Sequence, residues 1–255
     1  MDERDSGTCL LGHPCAIGGS ARLPCPRWQM AFAPTFHPEL LDAPLRTKRD
    51  RVIGVGLGGD IYAPGVNPMW REQVFEVEHQ CALRGKGHLF IHLTKRPAAI
   101  DLTGIAWPDL PSQWMGVSVT DDRVYKLIQT LADHCGPQAH RWVSFEPVLS
   151  EIVLPTEWDI LADWFRRFRI EFVVIGGLTD GNRRIIPPDE PGGLQWQWAQ
   201  TILLAAYAAN CRIFCKGLHR NVWRHLRNPR TAAWMQGPRD LRELPPEWET
   251  LRRKP

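Results

Sequence analysis

Three cysteines near the amino terminus, Cys9, Cys15 and Cys25, are the first residues able to do chemistry. They are spaced C-x5-C-x9-C, with His13 between the first two. Three thiolates in one loop hold a soft metal or an iron–sulfur cluster. A zinc site would be completed by His13 or another residue. Neither gap is the compact C-x2-C of the strong motifs, so unrelated thiols in a leader are the plain alternative. Of the other cysteines, Cys81, Cys135 and Cys211 read as small buried apolar residues, and Cys215 is ambiguous at a strand end.

A second set of reactive groups stands at the ends of short apolar runs. HLFIHL (His88–Leu93) ends at Thr94, Lys95, Arg96 and Pro97. The Arg51–Gly59 stretch, containing VIGVGLGG, ends at Asp60. WMGVSV carries Ser118 and ends at Thr120 and Asp121; RWVSF carries Ser144 and ends at Glu146 and Pro147. FVVIGG ends on Gly176 and Gly177, and CRIFC ends at Lys216. At a barrel mouth Lys95, Arg96 and Lys216 would grip carboxylate or phosphate; a lysine stem can equally snorkel from the core. Glu146 is costly to bury alone, so it pairs with Lys95, Arg96 or Lys216, or it meets a ligand. Asp60 either binds a ligand or caps a turn. Gly176 and Gly177 allow backbone N–H groups to face a ligand. GVGLGGD superficially matches a dinucleotide fingerprint, but two prolines and a glycine follow where a helix is required.

Elements must place these groups. Apolar runs without strict alternation suit strands buried on both faces of a parallel sheet. Six such strands are expected. Asn67–Arg84 is a helix with Asn67 as N-cap and Pro68 at the first position. Asp122–His134, Thr156–Phe168 and Trp196–Ala209 follow as helices, the first two amphipathic. A short helix opens at His37-Pro38-Glu39, with Leu40, Leu41 and Leu45 packing inward, and Asn221–Leu226 forms another. This β–helix–β cadence predicts an α/β fold, a partial (β/α) barrel of about six parallel strands, over a doubly wound sheet. Active groups in such folds gather at the C-terminal strand ends. The expected domains are a cysteine-bearing leader over 1–30 made of loop, the barrel over 31–218 and a basic extension over 219–255.

The 255 residues suffice for one such barrel. A net charge of +3 is too small to argue for nucleic acid by itself. From residue 219 onward, however, nine Lys/Arg stand against four Asp/Glu, a solvated face or a contact for nucleic acid or a protein partner. Twelve Trp suggest lined grooves or covered barrel ends. No apolar run of membrane-spanning length and no signal-peptide core occur, so no membrane contact and a cytoplasmic protein are expected.

Several of these pieces in order, FHPELLDAPL (Phe36–Leu45), GGDIY (Gly58–Tyr62), LTKRP (Leu93–Pro97), GVSV (Gly116–Val119), SFEPVL (Ser144–Leu149), VIGGLTDG (Val174–Gly181) and FCKG (Phe214–Gly217), resemble a phage-associated family of unknown function with an N-terminal three-cysteine motif. That family is similar to radical-SAM enzymes and most like spore photoproduct lyase. The resemblance implies a radical-SAM-like barrel in which Cys9, Cys15 and Cys25 ligate a [4Fe–4S] cluster. The fourth iron then binds S-adenosylmethionine, whose reductive cleavage yields a 5′-deoxyadenosyl radical. It puts Ser118, Ser144, Glu146, Gly176 and Gly177 by that cofactor. Asp60, Lys95, Arg96 and Lys216 face cofactor or a substrate, by analogy a nucleic-acid base. The chain departs from the family pattern in the nine residues between Cys15 and Cys25. The alternative is a cluster-free phage or mobile-element barrel that binds nucleic acid or a partner protein, its cysteines holding zinc or nothing.

Overall fold

The computed structural model describes residues 6–8, 14–16, 34–57, 59–102, 112–153, 156–177, 196–216 and 245–248. Two units are distinguished, Met1–Phe36 and His37–Pro255. In the first, strands β1 (Ser6–Thr8) and β2 (Pro14–Ala16) pair antiparallel, with Gly7 opposite Cys15. The leader therefore holds a short hairpin, where loop alone was expected.

The second unit is the α/β barrel. It contains the short helices α1 (Pro38–Leu41) and α2 (Ala43–Arg46), followed by β3 (Val52–Val55), α3 (Pro68–Leu83) and β4 (Leu89–Thr94). Next come β5 (Gln113–Ser118), α4 (Val124–His134), β6 (His140–Phe145) and α5 (Trp158–Arg167). The series closes with β7 (Ile170–Gly176), α6 (Trp196–Ala208) and β8 (Arg212–Lys216). The six strands β3 to β8 pair in chain order, every neighbour parallel, in one curled half-barrel sheet. The partial barrel expected from the strand cadence is thus the observed architecture.

Local chemistry explains the elements. Asn67 caps α3, its Oδ1 accepting from Met69 N at 3.0 Å, and Pro68 fills the first position, which needs no donor. Gly85 and Asn210 take left-handed φ values of 68° and 59° just past α3 and α6. Lys86 N then reaches Cys81 O (3.0 Å) and Cys211 N reaches Ala206 O (2.8 Å), six-to-one bonds that turn each helix into the next strand. Gly56, at φ 70°, ends β3 after Val55, so this strand is shorter than its glycine-rich sequence suggested. Leu40 is 62% exposed, against the expected inward packing; α1 is a single turn, too short to bury all its apolar side chains. Asn221–Leu226 lies outside the described residues.

Alternate residues on each strand face opposite ways. Val117, Val143, Phe145, Val173, Ile175 and Ile213 meet helix residues such as Ile128, Leu131, Leu161, Phe165 and Ile202 on the outer face. Ile91, Trp114, Trp142, Phe172 and Val174 form the inner face, joined by Trp248 from the helical residues 246–248. Trp248 meets Trp114 and Phe172 edge-on, with centroids 5.1 and 5.0 Å apart. Among the described residues no helix is long and apolar enough to cross a membrane.

At the opposite end from the polar rim, His140 stacks on Trp114 at 4.5 Å, its Nδ1 lying 2.9 Å from Glu171 Oε2. The hydrogen bond to Glu171 lifts the His140 pKa above its ordinary 6.5, helped by the charges of Glu171 and Glu247 and opposed by burial and Arg169. A raised folded value means the contribution is complete below the unfolded value and fades as pH rises through the folded one. His140→Gln should therefore cost stability at about pH 5.5 and little at about pH 9. Both partners are part-exposed, so the loss stays within about 1 kcal/mol. Urea unfolding at the two pH values checks this, and an equal loss at both would contradict it.

Candidate functional site

The C-terminal ends of β3 to β8 carry two polar clusters. The first ties β3 to β4. Asp60 Oδ2 accepts from Thr94 Oγ1 (2.9 Å), Lys95 N (3.1 Å) and Arg96 Nη1 (3.3 Å), while Oδ1 accepts from Tyr62 N (2.9 Å). Thr94 Oγ1 in turn accepts from Arg96 N at 2.9 Å. Asp60 is 16% exposed, and its acceptor capacity is largely spent on holding the two loops together. The turn-capping role is therefore filled. The carboxylate also positions the cations beside it: Arg96 stays 47% exposed, and the Lys95 side chain is exposed with no ion pair among the described residues.

The second cluster spans β5 to β8. Ser118 and Ser144 are register partners, on the parity of Trp114 and Trp142, and so face inward. They are 8% and 3% exposed, and neither hydroxyl bonds to a described residue. The segment after β6 is held across its neighbours by Leu149 N to Thr120 O (3.3 Å) and Val148 N to Gly176 O (3.2 Å). This lays Glu146 against Gly176. A Cβ at Gly176 would lie 3.1 to 3.3 Å from Glu146 Cγ, Cδ and Oε1, tighter than ordinary van der Waals contact. Glu146 Oε2 reaches Lys216 Nζ at 2.7 Å, the side chains 31% and 54% exposed. Of the three cations open to Glu146 from the sequence, Lys216 is the one it meets. Gly177 follows β7 and is buried.

Beneath these groups the Trp142 indole lies flat on Gly116, donating from Nε1 to His92 O (3.1 Å) and less closely to Trp114 O (3.4 Å). The Nε1 atoms of Trp114 and Trp248 are buried without a hydrogen-bond partner among the described residues. On the outer face, Glu78 Oε1 of α3 lies 2.9 Å from His92 Nε2 of β4, an ion pair only when the imidazole is protonated and not aligned as a hydrogen bond; each side chain is 1% exposed, and Glu78 Oε2 accepts from Gln113 Nε2 at 2.7 Å. Sequence reasoning missed this cluster. Position 78 falls in a helix with a weak apolar stripe, and a strand histidine looks like any other ring. Cys211 and Cys215 are 6% and 5% exposed within the outer-face core, so Cys215 is a core residue, and burial pushes both thiols up to about 12.

Of the metal-ligand candidates, Cys15 lies in β2, while Cys9, Cys25 and His13 are outside the described residues. Among the described residues no group of three His, Cys, Asp or Glu is placed to hold a metal ion. A family model with the description "Protein of unknown function (DUF5131)" matches residues 20–226. That span contains every rim residue named above and Cys25, and begins after Cys9 and Cys15. No curated protein and no solved structure matches the chain.

Proposed function

The chain belongs to the DUF5131 family, and from that premise we propose that it is a radical-SAM-like iron–sulfur protein acting on a nucleic-acid-related substrate. The observation carrying this reading is the inner rim. Ser118 and Ser144, 8% and 3% exposed, face inward on β5 and β6, and the Glu146–Lys216 pair stands at the ends of β6 and β8 on the same face. Hydroxyls, an acid and a base gathered at the strand ends of one face suit a polar ligand.

The donor sets fit the groups the family resemblance implies. Three thiolates suit a [4Fe–4S] cluster, and Cys9, Cys15 and Cys25 would hold it. When bound, such a cluster supplies the electron for reductive cleavage of S-adenosylmethionine. The rim's hydroxyls, acid and base suit that cofactor's polar end, which Ser118, Ser144 and Glu146 orient, with Gly176 and Gly177 lending backbone donors. Lys95 and Arg96, beside Asp60, and Lys216 pair with the phosphates of the substrate. The half-barrel itself restricts nothing further, since one fold serves many chemistries.

The test is anaerobic reconstitution with iron and sulfide quantified, on wild type and on a Cys9→Ala/Cys15→Ala/Cys25→Ala variant. About four irons per chain with brown absorption, lost in the variant, are expected. Colourless, iron-free protein in both cases would overturn the reading. Zinc content would then decide between a zinc-bearing and a metal-free binding protein.

A further inference from the structure

Toward the N-terminal ends of the strands the inner face is largely aromatic. Trp114, Trp142 and Phe172 stand there on β5, β6 and β7, the last two with centroids 6.1 Å apart. An aromatic wall of this kind needs a cover, and part of it comes from far along the chain. Trp248 meets Trp114 and Phe172 edge-on, so one indole touches both strands that flank β6. It is carried on a single helical turn closed by Trp248 N to Pro245 O at 2.9 Å. Pro245 and Trp248 are buried, while Pro246 and Glu247 between them are exposed. Glu247 lies near enough to His140, at the foot of β6, for its charge to help raise the histidine's pKa. All six strands of the sheet lie within residues 20–226, the span of the family match, and this turn lies beyond it.

The docking of this turn is closely balanced. Burial of the indole and its edge-on ring contacts favour the docked state. Pro245 and Pro246 fix φ just before Glu247 and reduce the entropy lost on docking. Against this, the Nε1–H groups of Trp114 and Trp248 are buried with no hydrogen-bond partner among the described residues. A buried donor left unpaired carries a cost of the same order as the gain from burying the ring. Undocking returns the Trp248 N–H to water. We propose that Pro245–Trp248 is a reversible strap, whose indole docks on the aromatic floor of the half-barrel as an internal ligand and undocks without unfolding the sheet. Docked, it shuts the inner face below the rim, since Ser118 lies four residues along β5 from Trp114, about 13 Å. The docked strap and any ligand that reaches down to the aromatic layer exclude one another. The strap stands on packing and does not rest on the iron–sulfur reading.

Two measurements on the full chain test it. The first is indole N–H exchange, followed by NMR on the wild-type protein. Trp248 Nε1–H should exchange at least about tenfold faster than Trp142 Nε1–H, which is bonded to His92 O and opens with the sheet. Rates closer than that would mean that Trp248 leaves only when the sheet unfolds, and the strap would be refuted. The second is titration with a free peptide of residues 243–250, ELPPEWET, on wild type and on Trp248→Gly. The peptide should bind the variant with a Kd of about 0.1 mM, the value for a strap closed tenfold at an effective concentration of about 1 mM. Wild type should bind it at least about tenfold more weakly, because its floor is occupied in cis. A peptide carrying Trp248→Ala should bind neither protein. Equal affinity for wild type and variant, or no binding to the variant, would sink the proposal. So would a Trp248→Gly protein that fails to fold, since Trp248 would then belong to the core.

Discussion

Gly116→Ala should lower stability by about 3 kcal/mol, the upper end of ordinary overpacking costs. The reason is the indole of Trp142. A Cβ at position 116 would overlap its Cε2 and Nε1 and lie 2.7 Å from its Cδ2. The ring has little room to retreat, because its N–H is bonded to His92 O and it packs beside Phe172. Gly116 sits in β5, a fully buried strand with a partner on each side, so the backbone does not yield readily either. For a domain of this size that loss corresponds to roughly 6–12 °C in Tm. Adding Trp142→Leu to Gly116→Ala should recover part of it, because the clash is then gone. Urea and thermal unfolding of the single and double variants checks the point. A single variant within about 0.5 kcal/mol of wild type, the range of neutral surface changes, would show that the indole moves aside freely.

Glu78→Ala should cost more, about 3–5 kcal/mol, the range for breaking a buried pair from one side. His92 and Gln113 both turn to this carboxylate from the sheet, and both pair members are 1% exposed. Deleting it removes the acceptor of the Gln113 bond and the carboxylate 2.9 Å from His92 in a buried setting. Glu78→Gln keeps an oxygen for Gln113 and fills the same volume, so its loss should be clearly smaller, about 1–2 kcal/mol. Equal losses in the two variants would mean that volume alone matters at this position. The consequence reaches the rim, because His92 lies two residues before Thr94, which anchors Asp60 and sets the Lys95–Arg96 turn. In Glu78→Gln, which should stay folded, that turn is the first part of the site expected to loosen. Hydrogen exchange of the amide of Lys95, which is bonded to Asp60, measures it.

The strand series was legible because buried parallel strands announce themselves as unbroken apolar runs, and each of the six lies within two residues of its expected position at both ends except β3, which stops at Gly56. Asn67 and Pro68 likewise marked the start of α3, since capping is decided by neighbours in the chain. Partnerships were not legible. Glu146 had three cations to choose from, and the strand order selects Lys216 by placing β8 one strand beyond a glycine in β7. Asp60 read equally as ligand contact or cap, and only the approach of the β4 loop showed how many donors converge on it.

By itself the sequence determined which groups stand at strand ends, that the sheet is parallel and winds in chain order, and that no described helix crosses a membrane. These follow from periodicity, capping and length, all properties of adjacent residues. Only the tertiary structure decided that Trp248, distant in the chain, packs on the inner face, that Gly116 makes room for Trp142, and that Glu78 is buried with His92. Each depends on contacts between residues far apart in sequence. Their energies come from packing and desolvation, quantities that no local pattern encodes.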